Sequence, residues 1–111
     1  MIYTIYNPKL VNDIHDFKFM FTNFTGVVKD NINDIFHFLN GKLHREDGPA
    51  YEKASGETKR WYINGKLHRE DGPAIEDKYC KEWYLNDICY GWNDAFTNES
   101  WTRFVKLELL K

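Results

Sequence analysis

His44-Arg45-Glu46-Asp47 and His68-Arg69-Glu70-Asp71 carry the greatest chemical reach in this chain. An imidazole beside a carboxylate can act as a general base or hold a metal ion. A working site also needs partners that break symmetry, such as a nucleophile or a third ligand. Here the same four residues stand twice in identical context, which points first to structure. On that reading His and Asp hydrogen-bond across a turn, while Arg and Glu pair between neighbouring units. Arg45, Glu46, Arg69 and Glu70 are then exposed positions able to meet a partner. The alternative is a small-molecule-binding protein or small enzyme whose pocket uses His44 and His68. Adding Cys80 and Cys89 to these histidines would give a metal set, but the cysteines are nine apart. Zinc sites space them by about two to four residues. Cys89 also occupies a slot filled by Leu67 one unit earlier, where a small apolar residue suffices. No cofactor is expected, and neither a phosphate-binding glycine motif nor a nucleophile elbow occurs.

The second group is aromatic. Trp61, Trp83 and Tyr90 align with His37, His44 and His68, interleaved with Arg45, Arg60 and Arg69. Such a column packs against a terminal segment, anchors a protein partner or stacks the bases of a single-stranded nucleic acid. Trp61 and Trp83 therefore join the four loop residues as candidate partner contacts. Aromatics make up 17% of the chain, so most of them must be buried.

The elements that position these residues repeat. Asn40 through Ala50 returns unchanged as Asn64 through Ala74, and Trp61-Tyr62-Ile63-Asn64 returns as Trp83-Tyr84-Leu85-Asn86. A period of 22–24 residues signals stacked supersecondary units. Residues 26–39 read as a degenerate copy, with Val28 matching Ala74 at a shift of 46. Asn64-Gly65 is a strong hairpin signal. A type I′ turn there pairs Ile63 with Lys66, Tyr62 with Leu67 and Trp61 with His68. Phe38/Leu43 and Tyr84/Cys89 fall in the Tyr62/Leu67 slot, predicting one continuous apolar column. His37/His44, Trp61/His68 and Trp83/Tyr90 fall on the other face. Asp-Gly-Pro ends each second strand, the glycine being free to take a positive φ. Near the N-terminus Phe17–Phe21 alternates as a strand would, and Pro8 opens a turn or short helix through Ile14. Thr97 can cap a helix over residues 98–110, with Glu99 in its first turn. The expected fold is mainly β: stacked hairpins in a twisted antiparallel sheet, capped by a C-terminal α-helix. It forms one domain, with an N-terminal segment (1–25), hairpin repeats (26–90) and the helix (97–110).

Fifteen basic residues face 17 acidic ones, and no segment is polarised. A nucleic-acid or membrane-surface partner is therefore not expected. No apolar run approaches the ~20 residues that spanning requires. The first residues lack the pattern of a signal peptide, so a cytoplasmic location is expected.

The unit Trp-Tyr-x-Asn-Gly-Lys-x-His resembles the MORN repeat, a β-hairpin module, through Trp61, Asn64, Gly65, Lys66 and His68. It departs from that pattern where Arg69–Ala74 replaces a Gly-x-Gly, and in lacking the Tyr-x-Gly before the Trp. The His-Arg-x-Asp-Gly-Pro-Ala version is similar to repeats in small proteins of bacteriophages and giant viruses. The resemblance implies a non-enzymatic protein-binding module, an accessory protein that blocks a host enzyme or defence factor by occupying it. Open sheet edges and the apolar helix would also permit a two-fold homodimer.

Overall fold

The computed structural model describes residues 2–4, 24–30 and 32–111. The expected strand at 17–21 and the turn or helix after Pro8 lie outside them. Eleven strands are described: β1 (Ile2–Thr4), β2 (Gly26–Lys29), β3 (Ile35–Leu39), β4 (Lys42–Leu43), β5 (Tyr51–Glu52), β6 (Lys59–Arg60), β7 (Tyr62–Ile63), β8 (Lys66–Leu67), β9 (Ile75–Glu76), β10 (Lys81–Leu85) and β11 (Ile88–Trp92). A 3-10 turn (Asn93–Ala95) and helix α1 (Asn98–Leu109) follow. The main sheet runs β1-β2-β3-β5-β6-β9-β10-β11, with β4 beside β3 and β7-β8 as a separate hairpin. It is antiparallel except at β1-β2, which is parallel.

The hairpins form as the sequence dictates. Asn40-Gly41 and Asn64-Gly65 both have positive φ, the backbone of a type I′ turn, and Asn86-Asp87 follows without a glycine. Tyr62 pairs with Leu67, Phe38 with Leu43 and Tyr84 with Cys89. Successive hairpins are joined by a repeated set of backbone bonds. Leu43 O accepts from Gly65 N–H, and Leu67 O from Asp87 N–H, at 2.8 and 2.9 Å. Phe24 O accepts from Gly41 N–H in the same way, so β2 holds the place of the preceding unit. Its register sets Val28 opposite Phe36, as Ile75 stands opposite Glu82. Val28 thus matches Ile75, one position from the match expected with Ala74.

Each of the first two units makes a detour. Leu67 pairs with Tyr62 and Ile75 with Arg60, two positions apart on one strand line, so His68–Ala74 must loop out between them. The third unit has no such loop. Cys89 pairs with Tyr84 and Gly91 with Trp83, leaving Tyr90 as a single bulged residue. The expected Trp83/Tyr90 pair is therefore replaced by Trp83/Gly91.

Among the described residues the core is not one column. One cluster joins Val28, Phe36, Phe38, Leu43 and Ala50; the other joins Trp83 and Leu85 of β10 to Trp101 and Val105 of α1. Cross-strand partners put Phe36, Tyr51, Arg60, Ile75 and Glu82 on one sheet face. Trp83 and Leu85 therefore point to the opposite face, with Trp61 and Ile63. The buried phase shifts by one residue between β3 and β10 because α1 packs on the second face only at the third unit. Tyr62/Leu67 and Tyr84/Cys89 remain half-buried. Helix α1 is capped by Thr97, whose hydroxyl accepts from Ser100 N–H at 3.0 Å while Ser100 Oγ accepts from Thr97 N–H. No described helix is long and apolar enough to cross a membrane.

Candidate functional site

The two detours define a groove of about 720 Å³. One wall is Arg45–Gly48, the other His68–Asp71, and Trp61 and Ile63 lie between them. Five of the six candidate contacts, Arg45, Glu46, Arg69, Glu70 and Trp61, converge here. Trp83 does not: it is 1% exposed, beneath α1. Its indole N–H donates to Asn93 O and its ring meets Phe96 and Trp101. Burial by α1 removes Trp83 from any partner surface.

Each loop is shaped by its arginine. Arg69 Nε donates to Asp71 at 2.8 Å, and Nη1 donates to Pro73 O and to Glu76. The guanidinium lies 3.8 Å from the Trp61 ring centroid. Arg45 repeats the pattern with Asp47 and Pro49 O. The expected pairing is thus exchanged: Arg bonds the Asp two residues on, and His faces the Glu two residues on. The Asp-Gly-Pro glycines also serve another purpose than expected. Gly48 and Gly72 are not among the residues with positive φ. A Cβ on Gly72 would stand 2.6 Å from Arg69 Cζ, and one on Gly48 would stand 2.8 Å from Arg45 Cζ. Glycine is there so that the guanidinium can lie against the backbone.

The histidines lock one unit to the next. His44 Nδ1 accepts from Asn64 N–H at 2.9 Å, and His68 Nδ1 accepts from Asn86 N–H at 3.2 Å. A nitrogen that accepts carries no proton, so in these neutral rings Nε2 bears the hydrogen. That nitrogen faces Glu70 at 2.8 Å in His68 and Glu46 at 3.8 Å in His44. Thr25 Oγ1 does the same work toward Asn40 N–H. The latch thus needs only an acceptor at this position. Among the described residues no three of His, Cys, Asp and Glu group to hold a metal ion. Cys80 and Cys89 are free thiols, each bonded within its own turn or strand.

His37 is perturbed. Burial, then the Arg45 guanidinium beside it, hold its pKa below the ordinary value of 6.5. Arg45 Nη1 lies 3.2 Å from His37 Nε2, so this ring accepts at Nε2 and is neutral. A base whose folded pKa is depressed contributes stability present above the unfolded value and lost as pH falls through the interval below it. Stability is therefore expected to decline on acidification below pH 6.5. His37→Gln should remove that part of the pH dependence, measured by urea denaturation between about pH 5 and pH 7.

The sequence reading missed Ile63, Asp47 and Asp71 in the groove. Ile63 was legible, since it lies two residues from Trp61 and a strand returns to the same face at that interval. The aspartates depended on the loop closure, which no local pattern shows. Comparison with protein-family models, with curated proteins and with solved structures finds no match to this chain. Fold and site thus define a mainly-β stack of hairpins with one C-terminal helix and a groove between two repeated loops.

Proposed function

We propose that this chain is a non-enzymatic protein-binding module that holds a partner in the groove over Trp61 and Ile63. One observation carries the reading. Trp61 and Ile63 are the repeat equivalents of Trp83 and Leu85, and on that second pair the chain docks a segment of its own, α1. There Trp101 sits 5.6 Å from the Trp83 ring, and its indole N–H donates to Arg69 O at 2.8 Å. Among the described residues no helix covers the equivalent surface at the second unit, where two loops wall it and the Arg69 guanidinium lies over the Trp61 ring. The histidines of the competing pocket reading have their Nδ1 atoms bonded to backbone N–H groups, which favours a structural role for them. The resemblance to phage-type repeats narrows the proposal to occupation of a host protein, which is redirected or inhibited sterically. A second copy of this chain would be a different partner, and mass measurement in solution separates the two.

Affinity capture from host extract tests it, comparing wild type with Ile63→Trp, which narrows the groove without changing charge. One stoichiometric protein captured by wild type and lost in a folded Ile63→Trp variant is the expected result. Equal capture by both would overturn the groove assignment. A co-purified small molecule with no protein would overturn the module reading.

A further inference from the structure

We infer that the partner enters this groove as an extended, lysine- or arginine-bearing segment of a protein. The inference rests on the groove reading above and adds the chemistry of the occupant. Among the described residues two arginines and four carboxylates line the groove, a net charge of −2 with His68 neutral. The arginine charges are already matched, Arg45 by Asp47 and Arg69 by Asp71 and Glu76. Among the described residues Glu46 and Glu70 have only a neutral imidazole as neighbour. Their side chains are 83% and 56% exposed, one on each wall. The floor between them is Ile63, an apolar bed for the methylene stem of a lysine or arginine, beside the Trp61 ring that the Arg69 guanidinium covers.

Spacing selects the form of the segment. Phe36 and Arg60 are equivalent positions in successive units, and both pair with Tyr51. Successive units therefore stand two strand spacings apart, about 10 Å. Glu46 and Glu70 are equivalents too and share that period. An extended chain of the polyproline II form rises ~3.1 Å per residue with three residues per turn, so cations three residues apart stand on one side ~9 Å apart and would meet both walls. A helical segment places same-face side chains ~5–6 Å apart at three or four residues and ~10 Å apart only at seven, so cations at every third residue select the extended form. Rim charge of this kind acts mainly on selectivity and on the rate of association.

The test uses the full chain and a synthetic dodecapeptide with lysine at every third position among serine and threonine. A matched peptide with glutamate at those positions and free spermidine serve as controls. Binding is read from the indole N–H signal of Trp61 in two-dimensional NMR and from titration calorimetry. The lysine peptide is expected to bind and to weaken as salt rises. Glu46→Lys/Glu70→Lys should weaken it at least tenfold and transfer binding to the glutamate peptide. Equal binding of both peptides to wild type would overturn the inference. So would binding of spermidine as tight as the peptide, or a double variant that binds the lysine peptide unchanged. If no peptide binds while Ile63→Trp still abolishes partner capture, the basic-segment inference fails and the groove reading stands. If the lysine peptide binds but capture ignores Ile63→Trp, the groove reading fails for that partner.

Discussion

Trp101→Ala is expected to destabilise the protein by ~3–5 kcal/mol, the range for removing a large aromatic side chain from a core. Trp101 is fully buried and its ring meets Trp83, Tyr90, Phe96 and Phe104. Its indole N–H is also the bond that ties α1 to the carbonyl of Arg69, 32 residues back in the chain. The substitution therefore opens a cavity and leaves a carbonyl without its donor. Trp101→Phe separates the two effects: it retains most of the packing and should cost ~1–3 kcal/mol, chiefly for the unpaired carbonyl. Urea titration followed by the fluorescence of the remaining tryptophans measures both. A loss below ~1 kcal/mol for Trp101→Ala would mean that α1 does not close the third unit, since removing an aromatic side chain from a core costs ~3–5 kcal/mol.

Arg69→Ala is the second large expected effect, ~2–4 kcal/mol. The bond to exposed Asp71 contributes little, as surface pairs generally do. The cost lies in the charged donors to Pro73 O and Glu76, and in the guanidinium packed on Trp61. Gly72 gives the sharper version of the test. Gly72→Ala would place its Cβ 2.6 Å from Arg69 Cζ. A guanidinium held by Asp71, Pro73 O, Glu76 and Trp61 cannot swing away without losing them, so ~1–3 kcal/mol is expected. In the Arg69→Ala background that clash disappears, and Gly72→Ala should become nearly neutral. A double-mutant cycle by urea denaturation reads the coupling directly. Additive costs would show that Gly72 is required for a reason other than the arginine. Arg45 and Gly48 should show the same coupling with smaller amplitude, because no counterpart of Glu76 is among the bonds of Arg45.

What the sequence determined was local. Asn64-Gly65 specifies a turn with two left-handed residues, and once that turn is set the pairing of Tyr62 with Leu67 follows by counting. Thr97 capped α1 as expected because a cap depends on its own three following residues. The repeat itself placed Arg45, Glu46, Arg69 and Glu70 in equivalent loops.

The tertiary structure decided what repetition leaves undetermined. Trp61 and Trp83 stand in near-identical sequence, yet one borders the groove and the other is sealed. The difference lies in α1, which begins more than ten residues after Trp83 and packs on one face of one unit. The same contact moved the buried phase of β10 one residue from that of β3. The exchange of partners within the loops had a similar origin. Whether Arg69 bonds Asp71 or a residue of the next unit depends on how His68–Ala74 folds back between two paired strands. A period-two pattern records which residues share a face, and a repeat records which positions are equivalent. Neither records which face a distant helix will cover, because that is set by burial summed over contacts far apart in the chain.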